Sequence, residues 1–148
     1  MFEIERKIMI EKVGEKEFES NSIASEHELE TFESIYRDKL PVDLRAFYLE
    51  LNGYYNSNDM VYLYPLKEVK KLKEYNFISS ENEFNMDCFV IGDYGFQAIY
   101  WLLDMNTTKY FALSIANNMI VEVADSMKNL LCGLLKDSLT MIGLDAYE

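Results

Sequence analysis

The stretch FVIGDYGFQAIYWLLD, residues 89–104, is where ligand chemistry would first be sought in this chain. Two glycines bracket Asp93 and Tyr94 inside an apolar run, the kind of interruption that can cradle a phosphate. Such a cradle needs successive inward-pointing backbone amides and then a helix N-terminus. Here the loop leads instead into AIYWLLD, whose bulky and β-branched residues predict a strand, and the loop holds no lysine. GDYGF therefore reads as a tight turn between strands, with glycines for the backbone. The alternative is a turn that presents Asp93, Tyr94 and Phe96 to a protein or small ligand.

The other reactive side chains give no catalytic pattern. The single histidine, His27, sits between Glu26 and Glu28 in a predicted first helical turn, with no second ligand at zinc-site spacing. No serine stands in a nucleophile elbow. Cys88 and Cys132 lie in separate apolar stretches and read as buried free thiols, neither a metal motif nor a disulfide framework. Carboxylates are too numerous for a catalytic pair to stand out. Lys67, Lys70, Lys71 and Lys73 form the one basic cluster, interrupted by Glu68 and Glu74, and read as the solvated face of a short helix. No cofactor or metal is expected. An enzyme whose site gathers distant residues is the third-ranked reading.

The elements that would carry these residues come from periodicity. Phe2, Ile4, Ile8 and Ile10 alternate, so the first residues read as a strand ending near Gly14, although Ile4, Ile8 and Val13 also suit a helix face. Residues 1–20 are thus an N-terminal extension of uncertain structure. Ser25 with Glu28 is a capping box, and Leu29, Phe32, Ile35 and Tyr36 line one face of the helix behind it. In LPVDLRAFYLELNGYY, Pro41 suits a first helical turn and Asp43 the positive end of the dipole. Leu44, Phe47, Tyr48 and Leu51 form the stripe, and Asn52-Gly53 ends it. VYLYPL reads as a strand stopped by Pro65, and LKEVKKLKEY as a short basic helix. CFVIG, AIYWLLD, KYFALSI and MIVEVA read as strands joined by turns short enough for antiparallel pairing. Asp125 or Ser126 caps a last helix burying Met127, Leu130, Leu131 and Leu134. Helices, a mostly antiparallel sheet and a final helix predict an α+β fold, a single domain over 1–148 with helices against one side of the sheet.

Bulk composition narrows function further. The 148 residues are 49% hydrophobic and include eleven tyrosines and nine phenylalanines, enough for a core without staples. No apolar run approaches the roughly 20 residues of a membrane span. The opening MFEIERKIMIEKV mixes charge into every turn, so a cytoplasmic protein is expected. The net charge is −12, and residues 1–50 carry 13 acids against 7 bases. That field repels nucleic acid and anionic membrane, and it steers basic proteins inward.

The order of Leu40-Pro41, the Asn52-Gly53 cap, Pro65-Leu66 with Glu68, the Gly92 turn leading to Tyr100 and Asp104, and the helix after Asp125 resembles the SUKH superfamily over residues 26–135. This group includes fungal cell-wall-synthesis regulators and many bacterial immunity proteins. The resemblance implies a non-enzymatic, cytoplasmic protein that binds and neutralises a cognate toxin domain, often a nuclease. The runner-up is a regulatory interaction module with no toxin partner. The expected partner is a protein, and a basic one. Tyr54, Tyr55 and Asp59 after the second helix, Glu81, Glu83 and Asp87 before the central strands, and Asp93, Tyr94 and Phe96 are the residues expected to meet it. Aromatic anchors in a polar rim are what protein interfaces favour.

Overall fold

The computed structural model describes residues 1–18, 22–75, 87–137 and 141–142. Within them the first departure from expectation comes at once. Glu3–Val13 is a helix, α1, and not a strand. Its buried residues are Glu5 and Met9, with Phe2 buried just ahead of it, while Ile4 is exposed. A stripe at positions 2, 5 and 9 has helical spacing. Because an acid occupies its middle position, hydrophobicity alone cannot reveal it. Glu3 and Glu5 in the first turn and Lys12 in the last also complement the helix dipole.

A short helix α2, Glu15–Phe18, comes next. Helix α3, Glu26–Tyr36, begins with the reciprocal Ser25–Glu28 capping box. Helix α4, Val42–Glu50, starts one residue later than expected, so Pro41 is its N-cap. The last α-helix among the described residues, α5, spans Met127–Lys136. Ser126 caps it by accepting from the Asn129 amide, and the Met127 amide donates to Asp43 Oδ2 of α4 at 2.6 Å. An otherwise orphaned helix donor thereby fastens α5 to α4.

Among the described residues, seven strands form one antiparallel sheet: β1 Tyr54–Asn56, β2 Val61–Leu63, β3 Lys70–Lys71, β4 Cys88–Tyr94, β5 Ile99–Asp104, β6 Tyr110–Ser114 and β7 Met119–Ala124. The order is β1-β2-β4-β5-β6-β7. One edge of β4 is shared, β2 pairing with Gly92–Tyr94 and β3 with Phe89 and Val90. The predicted basic helix is instead two 3-10 turns, Leu66–Glu68 and Leu72–Glu74, flanking β3. Leu66, Val69, Lys71 and Leu72 are all buried, a spacing that one surface helix could not bury without its neighbours. Burying them takes a chain that bends along β4.

Antiparallel partners share a face of a sheet. Phe89, Trp101, Leu103, Tyr110 and Ala112 share the face that meets the helices. The Phe89 ring lies 5.3 Å from Phe32 and 5.0 Å from Tyr36 of α3. Fully buried Trp101 donates from Nε1 to the Met141 carbonyl at 2.8 Å. On the opposite face lie Tyr62, Asp93, Tyr100, Leu102 and Leu113. The protein is therefore α+β, its helices gathered on one side of the sheet.

Candidate functional site

The predicted GDYGF turn is displaced toward its C-terminus. Gly92, Asp93 and Tyr94 belong to β4, and the chain reverses at Gly95, Phe96 and Gln97, all left-handed with φ of 63°, 55° and 74°. Gly92 serves close approach, not reversal. A β-carbon there would stand 2.5 Å from the Tyr62 carbonyl oxygen and 3.1 Å from Leu63 Cα. It also adjoins a register shift between Val90 and Gly92, which sets the remainder of β4 against β5.

The turn is clasped to the β1–β2 hairpin: the Gly95 amide donates to the Met60 carbonyl at 3.0 Å. That hairpin is organised by Asn56, whose side-chain oxygen accepts from the Asn58 and Asp59 amides and whose Nδ2 donates to Asp59 Oδ2 and the Tyr54 hydroxyl. Three large side chains, Tyr55, Met60 and Phe96, are consequently exposed side by side, Phe96 by 77%. They border a cleft of about 260 Å³ whose lining also includes Tyr62, Gln97 and Asp93. Tyr55 and Tyr62 also line a second cleft, of about 560 Å³, with Val13 and Phe18.

Asp93 is 6% exposed. Its Oδ2 accepts the Tyr64 hydroxyl at 2.6 Å. Around it stands a run of tyrosines: Tyr55 edge-on to Tyr62, Tyr62 edge-on to Tyr64, and Tyr75 tilted on Tyr100. Burial, and then the hydrogen bond to Asp93, hold the Tyr64 phenol far above its ordinary pKa, so it stays a donor. Tyr75 is pushed up to about 12 by burial, then by Tyr100, Asp93 and nearby glutamates. The Tyr62 hydroxyl donates to Glu68. This face of the sheet is thus aromatic and acidic together.

The remaining expected contact residues are dispersed. Tyr54 is buried, and Tyr94 is half-buried with its ring 6.4 Å from Trp101. Asp59 pairs with Lys12 at 3.5 Å. Asp87 lies at the far end of β4, bound to Lys71 at 2.6 Å. Glu81 and Glu83 lie outside the described residues. Of the seven that are described, the fold brings Tyr55, Asp93 and Phe96 together. Met60, Tyr62 and Tyr64 join them without any signal in the sequence. Tyr62 and Tyr64 read there only as strand residues, and nothing local marks their approach to Asp93.

The basic cluster does not form one solvated helix face. Lys71 is buried and ion-paired to both Asp38 and Asp87. Burial draws its pKa down, but the hydrogen bonds to Asp87 and Asp38 outweigh that and raise it. Cys88 is a buried free thiol pushed up to about 12 by burial first and then by Asp104 and Asp87. Cys132 is only half-buried, and its thiol donates to Glu5 at 3.4 Å. His27 is exposed on α3. Among the described residues, no group of three or more His, Cys, Asp or Glu could hold a metal ion, and no helix is long and apolar enough to cross a membrane.

Helices on one face of an antiparallel sheet, with exposed Tyr55, Met60 and Phe96 beside the turn after β4, define an α+β protein. The sequence model of the SMI1 / KNR4 family (SUKH-1) matches residues 23–133, from the residues before α3 into α5. The chain belongs to that family. No curated protein matches it closely.

Proposed function

We propose that this protein is an immunity-type binding protein that neutralises a cognate toxin domain by covering its working surface. Membership of the SMI1 / KNR4 family supports the class. The observation that carries the reading is the exposed trio Tyr55, Met60 and Phe96, held beside a buried carboxylate on a chain of net charge −12. Exposed aromatics within a polar rim are the usual anchors of a protein interface. Acidic charge speeds encounter with a basic partner, and a nuclease domain is commonly basic because it must approach phosphate. Tyr55, Asp93 and Phe96 are the proposed contacts, and the protein acts in the cytoplasm without catalysis.

The test is protection. Cells expressing the toxin-like domain encoded beside this chain are scored for survival with and without it, and the two proteins are then co-purified. Survival together with a stoichiometric complex is expected. Death despite soluble expression, with no complex, rejects that pairing and favours a regulatory module.

A further inference from the structure

A buried carboxylate ordinarily has a cation beside it, because removing the charge from water is costly. Asp93 has none among the described residues. All fourteen lysines and arginines of the chain lie within those residues, and no ion pair reaches it. Buried Lys71 and buried Glu5 are both ion-paired within the chain, and buried Asp104, which like Asp93 has no ion pair, accepts from both the Asn106 amide and the Thr107 hydroxyl. Asp93 instead lines an open cleft walled by the rings of Tyr55, Tyr62 and Phe96.

Rings and a carboxylate together select a particular kind of guest. The faces of Tyr and Phe attract cations, most strongly where water is excluded. A guanidinium is planar, stacks on rings and offers paired donors to a carboxylate, whereas an ammonium meets the carboxylate only as a point charge. The volume of about 260 Å³ is below the about 300–1,000 Å³ typical of sites for whole small molecules. It suits one side chain. Phe96 is also held at a left-handed φ of 55°, a conformation uncommon for a bulky residue, while 77% exposed.

We infer that the cleft receives a single arginine side chain from the protein partner, its guanidinium against Asp93 and between Tyr55, Tyr62 and Phe96. This rests on the binding-protein reading and specifies its chemistry: the net charge of −12 draws a basic partner in, and this cleft fixes where one arginine docks.

The full-length chain, labelled with ¹⁵N, is titrated with N-acetyl-arginine amide, with its neutral citrulline counterpart and with N-acetyl-lysine amide. Saturable shifts centred on Tyr55, Asp93, Phe96 and Gln97 are expected for the arginine probe alone or most strongly. Asp93→Asn should weaken binding by about tenfold or more, the scale of a charge-assisted hydrogen bond. Because Asp93 also anchors Tyr64, Phe96→Ser provides a second arm at an exposed position, and it too should weaken binding severalfold. Equal binding of citrulline, tighter binding of lysine, or arginine shifts scattered over the surface and unmoved by either substitution would overturn the inference. Arginine binding without neutralisation of any toxin leaves the cleft standing and removes the toxin reading. Neutralisation with no arginine response does the reverse.

Discussion

The Tyr64 hydroxyl and Asp93 Oδ2 meet at 2.6 Å across 29 residues of sequence, joining the residue just past β2 to the C-terminal half of β4. The Tyr64 amide donates to the Ile91 carbonyl at 2.9 Å, so the same tyrosine also extends the β2–β4 pairing. The bond therefore holds together the two segments on which the exposed aromatic surface is built.

Removing that hydroxyl should be costly. Tyr64→Phe leaves a buried carboxylate short of a donor and should lower unfolding free energy by about 1–3 kcal/mol. Tyr48→Phe makes the contrast. The Tyr48 hydroxyl is buried with no partner among the described residues, so losing it should be neutral or slightly stabilising. Urea denaturation of both variants checks the difference.

Phe96→Ala should leave stability within about 0.5 kcal/mol, as expected at an exposed site. It should nevertheless weaken the partner complex by about 2 kcal/mol if Phe96 is an anchor. Calorimetric titration with the partner found by the protection assay, alongside thermal denaturation of the free variant, measures the two effects separately.

The two glycines of the GDYG segment should differ in kind. Gly92→Ala places a methyl 2.5 Å from the Tyr62 carbonyl and forces β2 and β4 apart, with an expected loss of about 1–3 kcal/mol or more. Gly95→Ala meets no neighbour closer than Ala98 at 3.5 Å, so its cost is that of a left-handed φ, about 1 kcal/mol. Unfolding midpoints of the two variants rank these costs.

Acid should act partly through Glu5. Burial alone would raise its pKa, but its backbone hydrogen bond, Lys128 and Cys132 outweigh that and hold it below the ordinary 4.5. A carboxyl depressed on folding stabilises the protein above its unfolded pKa, and that contribution is lost as pH falls through the folded value. Stability should therefore decline below about pH 4.5 more steeply in the natural chain than in Glu5→Gln. Denaturant titrations between about pH 6 and pH 2 span that loss and compare the slopes.

The local grammar of the chain is readable where one face is apolar and the ends are capped. Ser25 and Glu28 announce α3, and Met127, Leu130, Leu131 and Leu134 announce the buried face of α5, as observed. The strands around Trp101 are equally plain, because bulky and β-branched runs separated by short turns leave few other choices. Legibility ends where a polar residue takes a core position. Glu5 disguises α1, and Lys71 makes a bent, half-buried segment look like a solvated helix. Each is stable only because Lys128, or Asp38 and Asp87, comes from elsewhere in the chain.

By itself, then, the sequence determined the fold class, most of the succession of helices and strands from α3 onward and the acidic charge, since periodicity, caps and charge are local or additive properties. Tertiary structure alone decided that Gly92 is a point of contact between strands, that Tyr54 is buried while Tyr55 is exposed, and that Asp93 meets Tyr64 in the cleft that Phe96 borders. Those facts depend on strand register and on distances between segments far apart in the chain, and no local pattern of residue types encodes them.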